Sequence, residues 1–268
     1  VCRFAEKDMI VDFHTHAFPD SIADRAMTQL QHEGKITAAL DGHVSSLLKS
    51  MDACGIERAV VVSIATKPDQ FASILRWSGA IRTERLIPFP SIHPADPQAL
   101  AHIDEIARAG FKGIKLHPYY QDFVVDDPAL DPICRRISER GLLLLVHTGF
   151  DFAFPRRRIA DPIRIRRVVD RHPDLKFIAT HLGAWADWSE TRQWLIGRPI
   201  YLELSFSLQY MTPELGRALL TEHPADYLLF GTDSPWVGQA ETLAHVRALH
   251  LPPEREAALL GGNALRLL

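Results

Sequence analysis

Thirteen histidines stand in a chain of 268 residues, and several of them follow short apolar runs, where a strand would end. In chain order these junctions read His14-Thr15-His16, His93, Lys115 with His117, His147, His181, Glu203 and Asp233. Imidazole and carboxylate are the donors that hold divalent transition metals when they converge from separate elements. Side chains alternate faces along a strand, so His14 and His16 point the same way, as do Lys115 and His117. The same alternation puts Val11 and Phe13 on the opposite face, toward a helix layer, and gives Tyr201, Glu203 and Ser205 one shared side. Asp233 follows a glycine in Phe-Gly-Thr-Asp-Ser-Pro-Trp (230–236). A carboxylate there can ligate a metal and accept a proton from water whose pKa the metal has lowered to about 7. The chemistry on offer is metal-assisted attack by water.

Eight apolar runs must position these groups. They predict strands at Met9–Phe13, Ala59–Ile64, Leu86–Ile92, Gly113–Leu116, Leu142–Val146, Lys176–Thr180, Ile200–Leu204 and Tyr227–Phe230. Between them, helical periodicity and end signals predict helices over Ser21–His32, Val44–Cys54 (stopped by Gly55) and Pro97–Ala109 (capped by Asp96, stopped by Gly110). Others are Pro128–Arg140 before Gly141, Pro162–Arg171 behind Asp161, and Pro213–Glu222 behind Thr212. Alternation of strand and helix favours an α/β fold, a closed (β/α)8 TIM barrel, as a single domain over 1–268 with 1–8 as an N-terminal extension. Catalytic groups of such barrels project from the C-terminal strand ends, where the histidines fall. A doubly wound sheet would show a Gly-rich phosphate turn, and neither GxGxxG nor a Walker A pattern is present.

The ordered phrases VDFHTHAFP, GIKLHP (113–118), VHTG, THLG and FGTDSPW resemble the amidohydrolase superfamily over nearly the whole chain. They look most like its amidohydrolase-related branch, which includes aminocarboxymuconate-semialdehyde decarboxylase-like enzymes. The resemblance implies a distorted barrel with one or two divalent metals at its C-terminal mouth. It implies His14, His16, His147 and Asp233 as ligands, with Asp233 also the proton shuttle. His181 would be a second-metal ligand or a free acid/base. Lys115 is similar to the lysine that is carbamylated in binuclear members and bridges their metals; as a free ammonium it would hold a substrate carboxylate. His117, Arg156 and Trp236 are the other expected substrate contacts. Zinc is the expected ion, with manganese, iron or nickel as alternatives, because such donors accept all of them. The implied function is a metal-dependent hydrolase that turns metal-activated water on a small amide, lactone or ester. The alternative is metal-dependent non-oxidative decarboxylation of a small carboxylic acid. TatD-type nucleases share the Thr-Asp-Ser-Pro phrase but carry a strand-4 glutamate that this chain lacks. A non-catalytic metal-binding barrel ranks lower because the ligand set is intact.

Composition narrows the partners. A net charge of −3 presents no basic field for nucleic acid or acidic lipid. No apolar run approaches the roughly 20 residues of a membrane span. Three separated cysteines make no disulfide framework or metal motif, and the first residues lack a secretory apolar core. A cytoplasmic enzyme with a small-molecule substrate is expected. Glu203 is a candidate for orienting a ligand, and His93, before Pro94, reads as structural. His32, His43, His102, His172, His223, His245 and His250 are expected at the surface. Short loops after the strands predict a small pocket or one completed by a neighbouring subunit. Phe150, Phe152 and Phe154 look exposed, which points to a homo-oligomer.

Overall fold

The computed structural model describes residues 9–268; the extension expected over 1–8 lies outside the described residues. Eight strands run parallel: β1 (Ile10–Thr15), β2 (Ile56–Val62), β3 (Leu86–Phe89), β4 (Gly113–Leu116), β5 (Leu143–Val146), β6 (Phe177–Ala179), β7 (Tyr201–Glu203) and β8 (Leu228–Leu229). Ladders join β1-β2-β3 and β4-β5-β6-β7-β8. At one seam Lys115 N–H donates to Pro90 O (2.9 Å). At the other, Phe13 N–H donates to Phe230 O and Asp233 N–H to His14 O (both 2.8 Å). These bonds bridge the two sheets at both seams of the (β/α)8 barrel.

The surrounding helices are α1 (Ala23–Gly34), α2 (Val44–Cys54), α3 (Phe71–Ile81), α4 (Ala99–Arg108), α5 (Asp131–Glu139), α6 (Pro162–Arg171), α7 (Trp188–Trp194), α8 (Pro213–Glu222) and α9 (Gln239–Ala248). Short helices α10 (Pro253–Ala257) and α11 (Asn263–Leu267) follow. The predicted caps hold. Asp161 accepts from Arg164 N–H, Thr212 from Leu215 N–H, and Gly55 closes α2 at φ 67°, a conformation that favours glycine. Asp96 instead accepts from Gln98 N–H (2.8 Å) and α4 starts only at Ala99. Helices α3, α7 and α9 lacked strong start signals in the sequence.

Strand alternation separates two apolar layers. Ala59, Val61, Ile114, Leu116, Leu144 and Val146 face the helices, against Leu47, Ile103 and Ile165. Val60, Val62, Phe89, Leu143, Leu145, Ile178 and Leu229 fill the barrel, and Ala264, Leu265 and Leu268 close its base. Val11 and Phe13 belong to this inner set, contrary to the expected helix-facing side; Phe13 packs edge-on against Phe89 at 5.9 Å. A bulge explains the difference. Asp12 pairs with Ala59 and Thr15 with Val61, so β1 carries one residue more than β2 over this span. The extra residue shifts the alternation, so Phe13 fills the barrel and His14 still turns into the mouth. Below it, buried Asp12 accepts from Thr232 Oγ1 (2.7 Å) and Gln239 Nε2 (2.8 Å), tying β1 to the chain after β8 and to α9.

Candidate active site

The C-terminal strand ends open into a cavity of about 730 Å3, within the usual range of small-molecule sites. His14, His16, Lys115, His117, His147, His181, Asp233 and Trp236 all border it, so seven of the predicted polar residues meet in one place. It is larger than short loops predicted because α1, between β1 and β2, supplies wall residues Ala26 and Leu30, and Phe150 and Phe152 supply others. Those phenylalanines pack within the chain. Phe150 lies 5.7 Å from Trp185, Phe152 stacks on Phe206 at 5.6 Å, and Phe154 meets Tyr120 at 4.9 Å. They therefore supply no exposed patch to motivate a homo-oligomer.

The site divides into two groups of donors. His14, His16 and Asp233 place ligand atoms within 4.8 Å of one another. His16 Nε2 lies 3.2 Å and His14 Nε2 3.5 Å from Asp233 Oδ1. The Glu203 carboxylate stands 2.9 Å from His14 Nδ1 and also accepts from Ser205 Oγ (2.8 Å) and Ser205 N–H. Because the carboxylate accepts, His14 carries its proton on Nδ1 and presents a lone pair at Nε2. Gly231 makes this arrangement possible. A β-carbon there would overlap Glu203 Oε1 and stand 3.0 Å from His14 Cβ. The backbone is left-handed at Asp233 (φ 63°) and His181 (φ 56°), conformations that cost roughly 1–3 kcal/mol each outside glycine.

The second group is His117, His147 and Asp151, again within 4.8 Å. His147 thus stands apart from the trio with which the resemblance grouped it. Its Nδ1 turns to His181 Nε2 at 3.0 Å, while His117 stacks on it at 4.1 Å. Lys115 Nζ lies between the groups, 3.2 Å from His14 Nε2. Asp151 was missed in the sequence. Its only signal is a lone carboxylate in the aromatic stretch Phe150–Phe154, four residues after His147.

Burial sets the charges. It holds His14, His117 and His147 well below the usual histidine range, aided at His14 and His117 by Lys115 and at His147 by His117 and His181; burial lowers His181 as well. It pushes Lys115 down to about 8 and Glu203 well up. At Asp233 burial works upward, but the hydrogen bond to His16 and nearby His16, His181 and Lys115 hold the carboxyl below its ordinary value. Neutral imidazoles beside an ionised carboxylate are the donor set a divalent ion requires, so the residues present fit a metal.

Arg156 does not take the predicted place. It pairs with Asp187, as Arg157 does with Asp122 and Arg158 with Glu190. Among the described residues lining the cavity, none is an arginine and Lys115 is the one fixed cation. Trp236 and Trp185 form wall, while Trp188 lies beneath and donates to His181 O (3.0 Å). His93 accepts from Ala95 N–H (3.1 Å), a structural role. His172 and His223 are buried rather than at the surface.

The sequence pattern of the amidohydrolase family matches residues 11–268. The chain belongs to the amidohydrolase family. An uncharacterised TIM-barrel protein from Bordetella bronchiseptica is 24% identical, with TM-score 0.82 over 97% of this chain and 98% of that one. A 5-carboxyvanillate decarboxylase from Novosphingobium aromaticivorans, with bound manganese, is 14% identical (TM-score 0.71, 98% and 97% covered). A probable 2-pyrone-4,6-dicarboxylic acid hydrolase from Acinetobacter baumannii is 11% identical (TM-score 0.66, 96% and 98% covered). These likenesses are of fold. No curated protein matches the chain. No helix among the described residues is long and apolar enough to cross a membrane.

Proposed function

We propose that this amidohydrolase is a metal-dependent hydrolase of a small amide, lactone or ester. The observation that carries the reading is the His14–His16–Asp233 trio at the floor of a largely apolar cavity without a lining arginine. Those three residues would hold the ion, zinc first by donor type and manganese next by the fold relative that binds it. When bound, a divalent ion lowers the pKa of water toward about 7 and polarises a carbonyl. The chain supplies the rest. Glu203 fixes the His14 tautomer, Asp233 takes the proton lost by the attacking water, and Lys115 Nζ faces the developing oxygen charge. Trp236, Trp185 and the phenylalanines exclude bulk water, which strengthens those contacts. In this reading Lys115 acts as an amine rather than as a bridging carbamate.

A panel of uncharged aryl esters, γ-lactones and anilides, assayed with metal-loaded protein, tests the proposal. Hydrolysis is expected for at least one class, and Asp233→Asn should lower kcat by about 10²–10⁴-fold, the usual span for losing an acid/base group. Decarboxylation is the second reading. It draws on Lys115, a buried cation able to hold one carboxylate, and on the decarboxylases among the fold relatives. Carbon dioxide released from aromatic acids, with no hydrolysis across the panel, would put that reading in place of the first.

A further inference from the structure

Helix α1 carries two apolar stripes. Ala23, Met27 and Gly34 are buried. Met27 covers Gly42 beside Phe18, and Gly34 lies against Phe152. The helix thus rests on chain that follows β1 at one point and β5 at the other. Those strands stand opposite each other in an eight-stranded barrel, so α1 crosses the mouth. Ile22 at its N-cap, Ala26 and Leu30 form the second stripe, spaced four residues apart on one face. All three border the cavity. Over that stripe the helix rises about 12 Å.

Packing within the chain does not account for the second stripe. Ala26 and Leu30 are half-buried yet belong to neither apolar layer. The same holds for Ile74 on α3, which borders the cavity together with Trp77. Ile22 is 37% exposed, one of two exposed large apolar side chains among the described residues. Apolar surface grouped this way and left open to water marks a contact with something else. The space is continuous with the floor that carries His14, His16 and Asp233, so its occupant reaches from the reacting centre. Charge along it is one-sided. Lys115, the fixed cation of the cavity, lies at the floor, 3.2 Å from His14 Nε2. Exposed Glu33 borders the α1 side and accepts from Gln29 Nε2 (2.8 Å). A neutral chain suits that wall, whereas a carboxylate on it would meet Glu33 and find no cation.

We infer that the substrate carries a neutral aliphatic arm, roughly eight carbons at full length, which lies along Ile22, Ala26 and Leu30 in the space that Ile74 and Trp77 also border. The inference rests on the hydrolase reading and narrows it. Among amides, lactones and esters, those with a medium-length acyl or alkyl chain are preferred, and those with a carboxylate at the end of that chain are rejected. Each methylene taken from water in such a site is worth about fourfold in binding.

Two chain-length series on the metal-loaded full chain test this. One is hydrolysis of p-nitrophenyl esters from acetyl to octanoyl and of γ-lactones with matching alkyl arms. The other is binding of 1-alkanols from ethanol to 1-octanol, followed by tryptophan fluorescence and calorimetry, which needs no turnover. Both kcat/KM and alkanol affinity are expected to rise about fourfold per methylene. A terminal carboxylate on the hexanoyl arm should cut kcat/KM by about tenfold or more, since a charge is costly to bury without a partner. Leu30→Glu is expected to flatten both series. Ala26→Trp, which fills the space instead of charging it, is the second variant should the first lose its fold. It should lower the octanoyl-to-acetyl ratio by about tenfold or more. A flat kcat/KM series overturns the inference, as does a slope unchanged in both variants or a preference for the terminal carboxylate. Hydrolysis with a flat series removes the arm and leaves the proposed function standing. Length-dependent alkanol binding that Leu30→Glu abolishes, with no ester or lactone cleaved, removes the hydrolase reading and keeps the subsite; binding without length dependence and no cleavage removes both.

Discussion

At the scale of the residue, Glu203 shows how a carboxylate outside the ligand set shapes it. It accepts from His14 and twice from Ser205, so it sets both the His14 tautomer and its ring angle. Glu203→Gln keeps the volume but removes the charge beside Nδ1–H. Metal affinity should fall by about 10–100-fold, as it does when such supporting partners are lost; competition against a chromophoric chelator measures it, and unchanged affinity would reduce Glu203 to packing. Most of this site was legible before the structure because strand ends of a barrel converge, and residue type at those ends is visible in the sequence. Asp151 and Arg156 were not legible for a common reason. Each sits in the loop after β5, and no periodicity records where a loop side chain turns. Arg156 turns to Asp187, 31 positions away, and Asp151 turns inward.

At the scale of the element, capped helices were read almost to the residue: Val44–Cys54 and Pro162–Arg171 match α2 and α6. Strand ends were overrun, because apolar residues continue past the point where pairing stops and the chain bends toward the cavity. Thr180, for example, leads directly into left-handed His181. The approach after β8 depends on Gly231. Gly231→Ala places a methyl group against Glu203 and His14, and overpacking of this kind typically destabilises by about 1–3 kcal/mol; a lower urea midpoint together with weaker metal binding is expected, and a wild-type midpoint would show that Glu203 can move aside. Where α8 ends, buried His223 stands 2.9 Å from Ile200 O and burial lowers it from 6.5 to about 4. The unfolded chain therefore binds the extra proton between these values, so His223 favours the folded state fully above pH 6.5 and progressively less as pH falls to about 4. The loss should be on the order of 3 kcal/mol at 1.36 kcal/mol per pKa unit. Asp12, raised to about 6 by burial, acts in the opposite sense and loses its contribution as pH rises through that value. The comparison of wild type with His223→Asn isolates the histidine: urea midpoints should diverge between pH 7 and 4, and parallel curves would refute the assignment.

At the scale of the whole molecule, closure of the barrel lets residues from β1 to β8 share one floor, and its stability rests on the inner apolar layer. Phe89 meets Phe13 across that layer and occupies the space a β-carbon at Gly113 would need. Phe89→Ala should destabilise by about 3–5 kcal/mol, the usual range for truncating a buried phenylalanine, read from urea unfolding; a change below 1 kcal/mol would mean the layer collapses around the gap. The order of motifs along the chain made this architecture legible, whereas the bulge in β1 was invisible, since one inserted residue leaves no mark in composition. That bulge makes β1 a strand of two phases. Its lower half is keyed to the core and its upper half to the mouth, with the slip at Asp12–Thr15 acting as a clutch between them. The core around Val11 and Phe13 can then drift or be redesigned without rotating His14 and His16, whereas pairing the same residues without the slip would engage the halves and turn Thr15 into the cavity in place of His14. The metal-facing tip of β1 is in that sense a separable cassette, portable to other barrels only together with its extra residue.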